Sequence, residues 1–170
     1  MKNVYLKSVL VLFLVCFTVA ATLSIANNIT VPIIEEAKLK AETESLVEVL
    51  PNSKGFDKIE ISDTAPNTIT GIYEDRGGNG YALTLSTFSQ YSKDNMQFSV
   101  GINKNGKIEG IKLTAYSESK DFGADFPQKF IGKDKTLSDI DTVSGVTYSS
   151  KAFISAVNDA FTVIENLEEG

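Results

Sequence analysis

The chain has 170 residues, of which 42% are hydrophobic, enough for one domain with its own core and an additional apolar segment. Its formal net charge of −6 and pI of about 4.7 argue against the Lys/Arg surface that supplies most nucleic-acid affinity, so no nucleic-acid partner is expected. Because the chain has no histidine and Cys16 is its one cysteine, histidine catalysis, Cys/His zinc sites and thiolate iron–sulfur clusters are excluded. No metal site is expected, and any redox chemistry requires an organic cofactor.

An apolar segment follows Lys2 and Lys7, and no charged residue occurs from Ser8 through Ile34. Since about 20 mostly apolar residues cross a bilayer, we expect a single-pass membrane anchor over residues 1–30. Lysines before the segment and glutamates after it predict a cytoplasmic amino terminus and an extracytoplasmic domain. A cleaved signal peptide is the alternative, because basic residues, an apolar stretch and small residues near its end also fit that pattern.

Residues 31–52 predict a juxtamembrane helix, because they are rich in helix formers and end at Pro51 and Asn52. Apolar residues are dense only in the last turns of this segment. We therefore expect these turns to pack against the following domain while the charged start of the helix is solvated.

Residues 53–170 predict an α+β domain with an antiparallel-rich sheet packed by helices. Three segments alternate apolar and small or polar residues, which is typical of half-buried strands: Tyr81, Leu83 and Leu85; Phe98, Val100 and Ile102; and Ile111, Leu113 and Ala115. Asn105-Gly106 predicts a tight hairpin turn between the second and the third, because this pair supplies positive φ angles. Apolar residues at helical spacing predict a final amphipathic helix from Ser150 to Leu167.

The segment Asp141–Thr147 lies immediately before the predicted final helix and has the sequence Asp-Thr-Val-Ser-Gly-Val-Thr. Backbone N–H groups at a Ser-Gly turn and in the first helical turn carry partial positive charge and suit a phosphate. A threonine hydroxyl at this place would meet a bound phosphate. The alternative is that Thr147 is an ordinary N-cap, a common role for Ser and Thr before helices.

These residues resemble the flavinylation motif D-x-x-[S/T]-G-A-T of bacterial FMN-binding domains, in which FMN is esterified through its phosphate to the final threonine. Asp141, Ser144, Gly145 and Thr147 match the motif, and Val146 stands where the family prefers alanine. The resemblance implies covalent FMN on Thr147, with Asp141, Ser144, Gly145 and Val146 as its cofactor-binding surroundings.

Further segments resemble the G subunit of the Rnf electron-transport complex, so the resemblance covers nearly the whole chain. They are Asn28–Pro32 after the apolar stretch, Gly106–Ile111 in the predicted hairpin, and the loop Ser117–Gly123. In that family the loop lies near the flavin, which implies cofactor contacts from Glu118 and Gly123. A solvated connection between a strand and a helix is the alternative for this loop.

The resemblance implies an electron-transfer protein within a complex rather than an autonomous enzyme. An ApbE-type flavin transferase would attach FMN to the chain, and the chain would then relay electrons between ferredoxin and NAD within a membrane complex coupled to ion translocation. Its expected partners are this transferase and the other membrane subunits of an Rnf-type complex.

Two alternatives remain open on sequence grounds. The C subunit of the sodium-translocating NADH:quinone reductase shares the anchor and the threonine motif, and differs from the Rnf protein in its partners. A membrane-tethered, non-redox binding module is an alternative of another class, in which Thr147 is only a helix cap.

Overall fold

The computed structural model describes residues 2–88, 95–116, 122–137 and 139–169. The chain divides into two compact units, Met1–Glu42 and Thr43–Gly170. Within the described residues there are three helices and five strands: α1 (Lys2–Val49), β1 (Phe56–Ile59), β2 (Ile69–Asp75), β3 (Gly80–Thr87), β4 (Met96–Asn103), β5 (Ile108–Ala115), α2 (Asp125–Gln128) and α3 (Thr147–Glu169). The predicted α+β class is confirmed.

Helix α1 runs without interruption over both the predicted anchor and the predicted juxtamembrane helix. The sequence analysis separated these segments near Pro32, but no glycine precedes Gly55 to end a helix between them. Along the described part of the chain, no helix reaches the combination of length and apolar character needed to cross a membrane. The predicted transmembrane helix over residues 1–30 is therefore not confirmed.

The five strands form one sheet in the order β1-β2-β3-β4-β5, and every neighbouring pair is antiparallel. The three strands predicted from alternating apolar residues correspond to β3, β4 and β5 and are confirmed. Strands β1 and β2 were not predicted. The four residues of β1, Phe-Asp-Lys-Ile, are too few for a period-two pattern to stand out.

The β4–β5 hairpin is confirmed, but its turn has a different form from the predicted one. Gly106 donates its N–H to the carbonyl oxygen of Asn103 at 2.9 Å, and the Asn103 N–H donates to the carbonyl oxygen of Lys107 at 2.9 Å. Gly106 has a φ of +67°, whereas Asn105 is not among the described residues with positive φ. This pattern is that of a three-residue loop with glycine in the left-handed region, not of a two-residue turn.

The glycine-rich loop between β2 and β3 is organised by the buried side chain of Asp75. The carboxylate accepts hydrogen bonds from the backbone N–H of Lys54 at 2.6 Å and of Asn79 at 3.0 Å, and from the Asn79 side-chain amide at 2.7 Å. Burial raises the pKa of Asp75, but these hydrogen bonds and one from the Gly77 backbone lower it by more. The pKa of Asp75 therefore lies below its usual value. The loop is therefore held by hydrogen bonds to one buried carboxylate.

The end of α1 packs on one face of the sheet. Leu46 and Val49 form a small apolar cluster with Tyr73 of β2 and Ala82 of β3. A side chain on Gly101 of β4 would collide with the Val49 carbonyl group, so the backbone of α1 lies directly against the sheet there. The predicted docking of these last turns on the domain is confirmed.

The opposite face of the sheet carries the main core and is covered by α3. Phe153 of α3 is fully buried and stacks on Phe98 of β4, with ring centroids 4.3 Å apart. Its ring also contacts Phe122, Phe126 and Phe130, at centroid distances of 5.6, 5.8 and 5.2 Å. One side chain thus joins the sheet, the helix α3 and the segment around α2.

We expect Phe153→Ala to lower the free energy of unfolding by about 3–5 kcal/mol, because it empties the centre of this aromatic cluster. Phe153→Leu, which keeps much of the volume, should cost clearly less. Urea unfolding followed by circular dichroism measures both. A loss below about 1 kcal/mol for the alanine variant would contradict the central position of this ring.

Candidate functional site

The motif residues form a turn that leads directly into α3. The N–H of Val146 donates to the carbonyl oxygen of Val143 at 3.1 Å, which places Ser144 and Gly145 at the two central positions. Gly145 has a φ of +87°, a value that glycine adopts freely and that the third residue of a type II turn requires. Glycine is therefore needed here for the backbone conformation.

Helix α3 begins at Thr147, three residues before the start predicted from the apolar spacing. The first helical hydrogen bond runs from the N–H of Ser150 to the carbonyl oxygen of Val146 at 3.0 Å, so Val146 is the flanking residue and Thr147 is the first of the helix. The alternative that Thr147 is the N-cap is therefore wrong. Its half-buried side chain lies at the helix start, and no described residue hydrogen-bonds its hydroxyl.

Two serines follow in the first turn of α3, and both are buried. Ser150 is fully buried; its hydroxyl donates to the carbonyl oxygen of Val146 at 2.8 Å and accepts from the N–H of Val143 at 3.2 Å. Ser149 is 2% exposed. The hydroxyls of Ser149 and Ser150 are thus enclosed by the protein, whereas Ser144 in the turn is exposed.

The other residues at this end of α3 shape its charge and packing. Asp141 is exposed, and Lys151 is exposed one helical turn after Thr147, on the same side of the helix. The first turn of α3 has no acidic residue. Val146 is half-buried and packs against the main core, so the chain accommodates a larger side chain where the motif prefers alanine.

Gly123 precedes α2, and its carbonyl oxygen accepts a hydrogen bond from the N–H of Phe126 at 3.2 Å. Its φ of +83° lies in the left-handed region. The neighbouring Phe122 packs on Phe153 of α3, which ties this segment to the helix that begins at Thr147. Glu118 and most of the predicted loop Ser117–Gly123 lie outside the described residues, so their contacts with a flavin stay a prediction.

Two cavities lie near the other end of α3. One, of about 340 Å³, is lined by residues that include Ile72, Val163 and Leu167; the other, of about 460 Å³, by residues that include Phe161 and Glu168. Neither contains a residue of the Asp141–Thr147 turn, and at 1.5 Å per residue Val163 lies about 24 Å along the helix from Thr147. Asp141, Ser144 and Gly145 are exposed, so this part of the motif is accessible at the surface.

Ser144 and Gly145 thus lie at the centre of the turn, Val146 ends it, Thr147 begins α3, and Asp141 lies two residues before the turn. Their binding of a cofactor stays a prediction. The hydrogen bonds of Ser150 to this turn were not predicted from the sequence. A serine in the first turn of a helix is a weak signal, because such hydroxyls often bond a carbonyl oxygen of the preceding turn without further consequence.

Residues 92–162 match the family model of the FMN-binding domain. The matched range includes the whole Asp141–Thr147 segment and α3 as far as Thr162. The turn and the start of α3 therefore lie in the part of the chain that is similar to FMN-binding domains.

The full chain is also similar to a protein of Acetobacterium woodii, the G subunit of the Na⁺-translocating ferredoxin:NAD⁺ oxidoreductase complex. The two are 26% identical over 197 aligned positions, which cover 98% of this chain and 95% of the relative. The resemblance to the Rnf protein inferred from the sequence is confirmed, and it extends beyond the FMN-binding domain to the amino-terminal helix.

Proposed function

We propose that this protein is a covalent flavoprotein subunit that relays electrons in a membrane-bound ferredoxin:NAD⁺ oxidoreductase complex of the Rnf type. The observation that carries the proposal is the position of Thr147, whose half-exposed side chain opens α3 within the FMN-binding domain. The full-length similarity to the Acetobacterium woodii protein favours this complex over the sodium-translocating NADH:quinone reductase. The other membrane subunits of the complex are the proposed partners.

The attachment reaction is a phosphoryl-group transfer from FAD. In the proposed step, the Thr147 hydroxyl oxygen forms a bond to the phosphorus of the FMN half of FAD. The bond between that phosphorus and the oxygen shared with the AMP half breaks, and AMP leaves with the bonding electron pair. The hydroxyl proton passes to a base of the ApbE-type flavin transferase. The chain itself needs only to present an accessible hydroxyl, which agrees with a site open to a second protein.

The residues at the start of α3 fit an esterified phosphate. The backbone N–H groups at a helix start carry partial positive charge, and a phosphate there is stabilised by about 0.3–1 kcal/mol at an exposed position. The Lys151 side chain lies one turn further on, and acidic residues are absent from the first turn. The negative phosphate thus meets favourable charges on this helix.

Once attached, FMN would supply the electron chemistry, because its ring accepts and donates electrons. The protein positions the flavin on a helix whose first two turns are tied to the main core by Phe153. A covalent bond also retains the cofactor on a carrier that faces the outside of the cell, as proposed for this domain.

A membrane location is part of the proposal. From Val9 to Phe17 the large apolar side chains of α1 are 52–69% exposed, and no charged residue occurs from Ser8 through Ile34. Exposed apolar surface of this extent needs a partner, and a lipid bilayer matches an uncharged segment of this length. The positive residues before it orient the domain to the extracytoplasmic side.

We expect Thr147→Ala to abolish covalent FMN when the full chain is incubated with FAD and purified flavin transferase. Thr147→Ser should retain attachment, because it keeps the hydroxyl at the same place. In-gel flavin fluorescence and intact mass measure the modification. Normal fluorescence of the alanine variant would disprove the assignment and point to the exposed Ser144 rather than to the buried Ser149 and Ser150.

We expect Gly145→Val and Asp141→Ala to slow flavin attachment at least tenfold while the domain stays folded. A valine at Gly145 strains the turn and adds bulk beside the phosphate. Asp141 is the first residue of the motif, and its exposed side chain is accessible to the transferase.

The matched control for the glycine variant is Gly132→Val. Gly132 has a similar φ of +80°, and a Cβ there likewise meets no atom within 4 Å. It therefore carries the same backbone strain outside the motif. The rate of flavin attachment is measured in a time course for the three variants and the parent. If all four rates are equal, the motif match is incidental.

We expect the protein to remain with membranes after alkaline carbonate extraction, and a double change of Leu12 and Val15 to lysine to release it. Protease added to spheroplasts should digest the domain. Recovery of the unchanged protein in the soluble fraction would refute the anchor. A mature amino terminus near Asn27 would indicate a cleaved signal peptide. Protection of the domain from the protease would show the opposite orientation.

A further inference from the structure

We propose that Ser150 is a positioning residue for the modification of Thr147: its hydroxyl holds the turn that presents the acceptor threonine to the transferase. The inference rests on the proposed function, because it assigns a role in that same reaction. Ser150 would not contact FAD or the reacting atoms. It would act through the backbone of residues 143–146.

The hydrogen bonds of Ser150 connect the two ends of the turn. Its hydroxyl donates to the Val146 carbonyl oxygen at 2.8 Å, beside the helical bond that the Ser150 N–H makes to the same oxygen at 3.0 Å. The same hydroxyl accepts the N–H of Val143 at 3.2 Å. One side chain therefore uses its donor and its acceptor to fix both flanks of Ser144-Gly145.

The turn has few other constraints. Ser144 and Gly145 are exposed, and a Cβ built on Gly145 meets no atom within 4 Å, so no packing restrains the glycine. Glycine is also the most flexible residue of the backbone. Val143 and Val146, which flank these two residues, pack against the main core. The Ser150 hydroxyl adds a hydrogen-bonded connection between the turn and α3.

The orientation of the turn determines where the Thr147 hydroxyl lies. Attack on phosphorus requires the oxygen to approach in line at close range, and small misplacements of a reacting group lower rates strongly. Thr147 directly follows Val146, whose carbonyl oxygen Ser150 holds twice. A loosened turn would spread the hydroxyl over several positions after the transferase has bound.

Full burial separates this role from that of an acceptor. Ser150 is 0% exposed and both functions of its hydroxyl are used, so it is enclosed from a second protein and from FAD. Two hydroxyls three residues apart on α3 thus have different roles in this proposal. The Thr147 hydroxyl is modified, and the Ser150 hydroxyl orients it.

The test is a steady-state flavin-attachment assay on the full chain, with purified flavin transferase and FAD. For Ser150→Ala we expect kcat to fall about tenfold, the effect of losing hydrogen bonds worth about 1.4 kcal/mol, with little change in the KM for the protein substrate. Ser150→Thr, which keeps a hydroxyl able to bond the same carbonyl oxygen, should recover much of the rate. Amide hydrogen exchange at Val143 should accelerate in the alanine variant and not in the threonine variant.

Ser99→Ala is the matched control, because it also removes a buried serine hydroxyl, one that is hydrogen-bonded to Ser45 at 2.9 Å on the other face of the sheet. A similar slowing in Ser99→Ala would overturn the proposal in favour of general destabilisation. Parental kcat and parental Val143 exchange in Ser150→Ala would overturn it as well. If the alanine variant does not fold, kcat is measured for Ser150→Cys, whose side chain has a similar shape and a weaker donor. A lower kcat would support the proposal, and a parental kcat would overturn it. An unmodified parental chain would instead refute the proposed function.

Discussion

The packing of one aromatic ring determines where the candidate site lies. Phe153 is fully buried between the sheet and the segment around α2, and its ring contacts four other phenylalanine rings. Because Phe153 lies in the second turn of α3, the helix cannot slide or rotate at its amino-terminal end without breaking these contacts. A hydrogen bond of 2.6 Å from Thr68 to Asp159 fixes the helix again further on. The start of α3, and with it Thr147, is thereby held in place.

The site itself needs little more than that fixed helix. A glycine turn leads into it, a buried serine ties the turn down, and the first hydroxyl of the helix is left at the surface. The neighbouring serines are enclosed, so accessibility alone selects Thr147 over Ser149 and Ser150. Ser144 is exposed as well, so accessibility does not separate Thr147 from that residue. In the proposed function, the protein supplies the geometry, and the transferase and the flavin supply the chemistry.

Local patterns in the sequence predicted much of the fold. Three strands, one hairpin and the final helix follow from alternation, turn residues and helical spacing, all of which are set by near neighbours. The features that were missed depend on distant parts of the chain. Strand β1 exists because it pairs with β2, and α3 extends back to Thr147 because Ser150 and the turn bond each other. The motif was recognised from its residues, whereas the hydrogen bonds of Ser150 to the turn depend on the folded structure. The uninterrupted helix α1 was missed because Pro32 was taken as a boundary.

The contact between Val49 and the two paired glycines of β4 and β5 has a consequence for shortening the chain. Gly101 and Gly110 leave a bare strip of backbone on which the last turn of α1 rests, and Ser45 and Glu48 add a hydrogen bond and an ion pair to the same strands. The final turns of α1 are thus part of the domain's own structure. The folded domain would tolerate deletions from the amino terminus up to about Glu42. Longer deletions would destabilise it, because the glycines uncovered on the sheet have no side chains to replace the lost contacts.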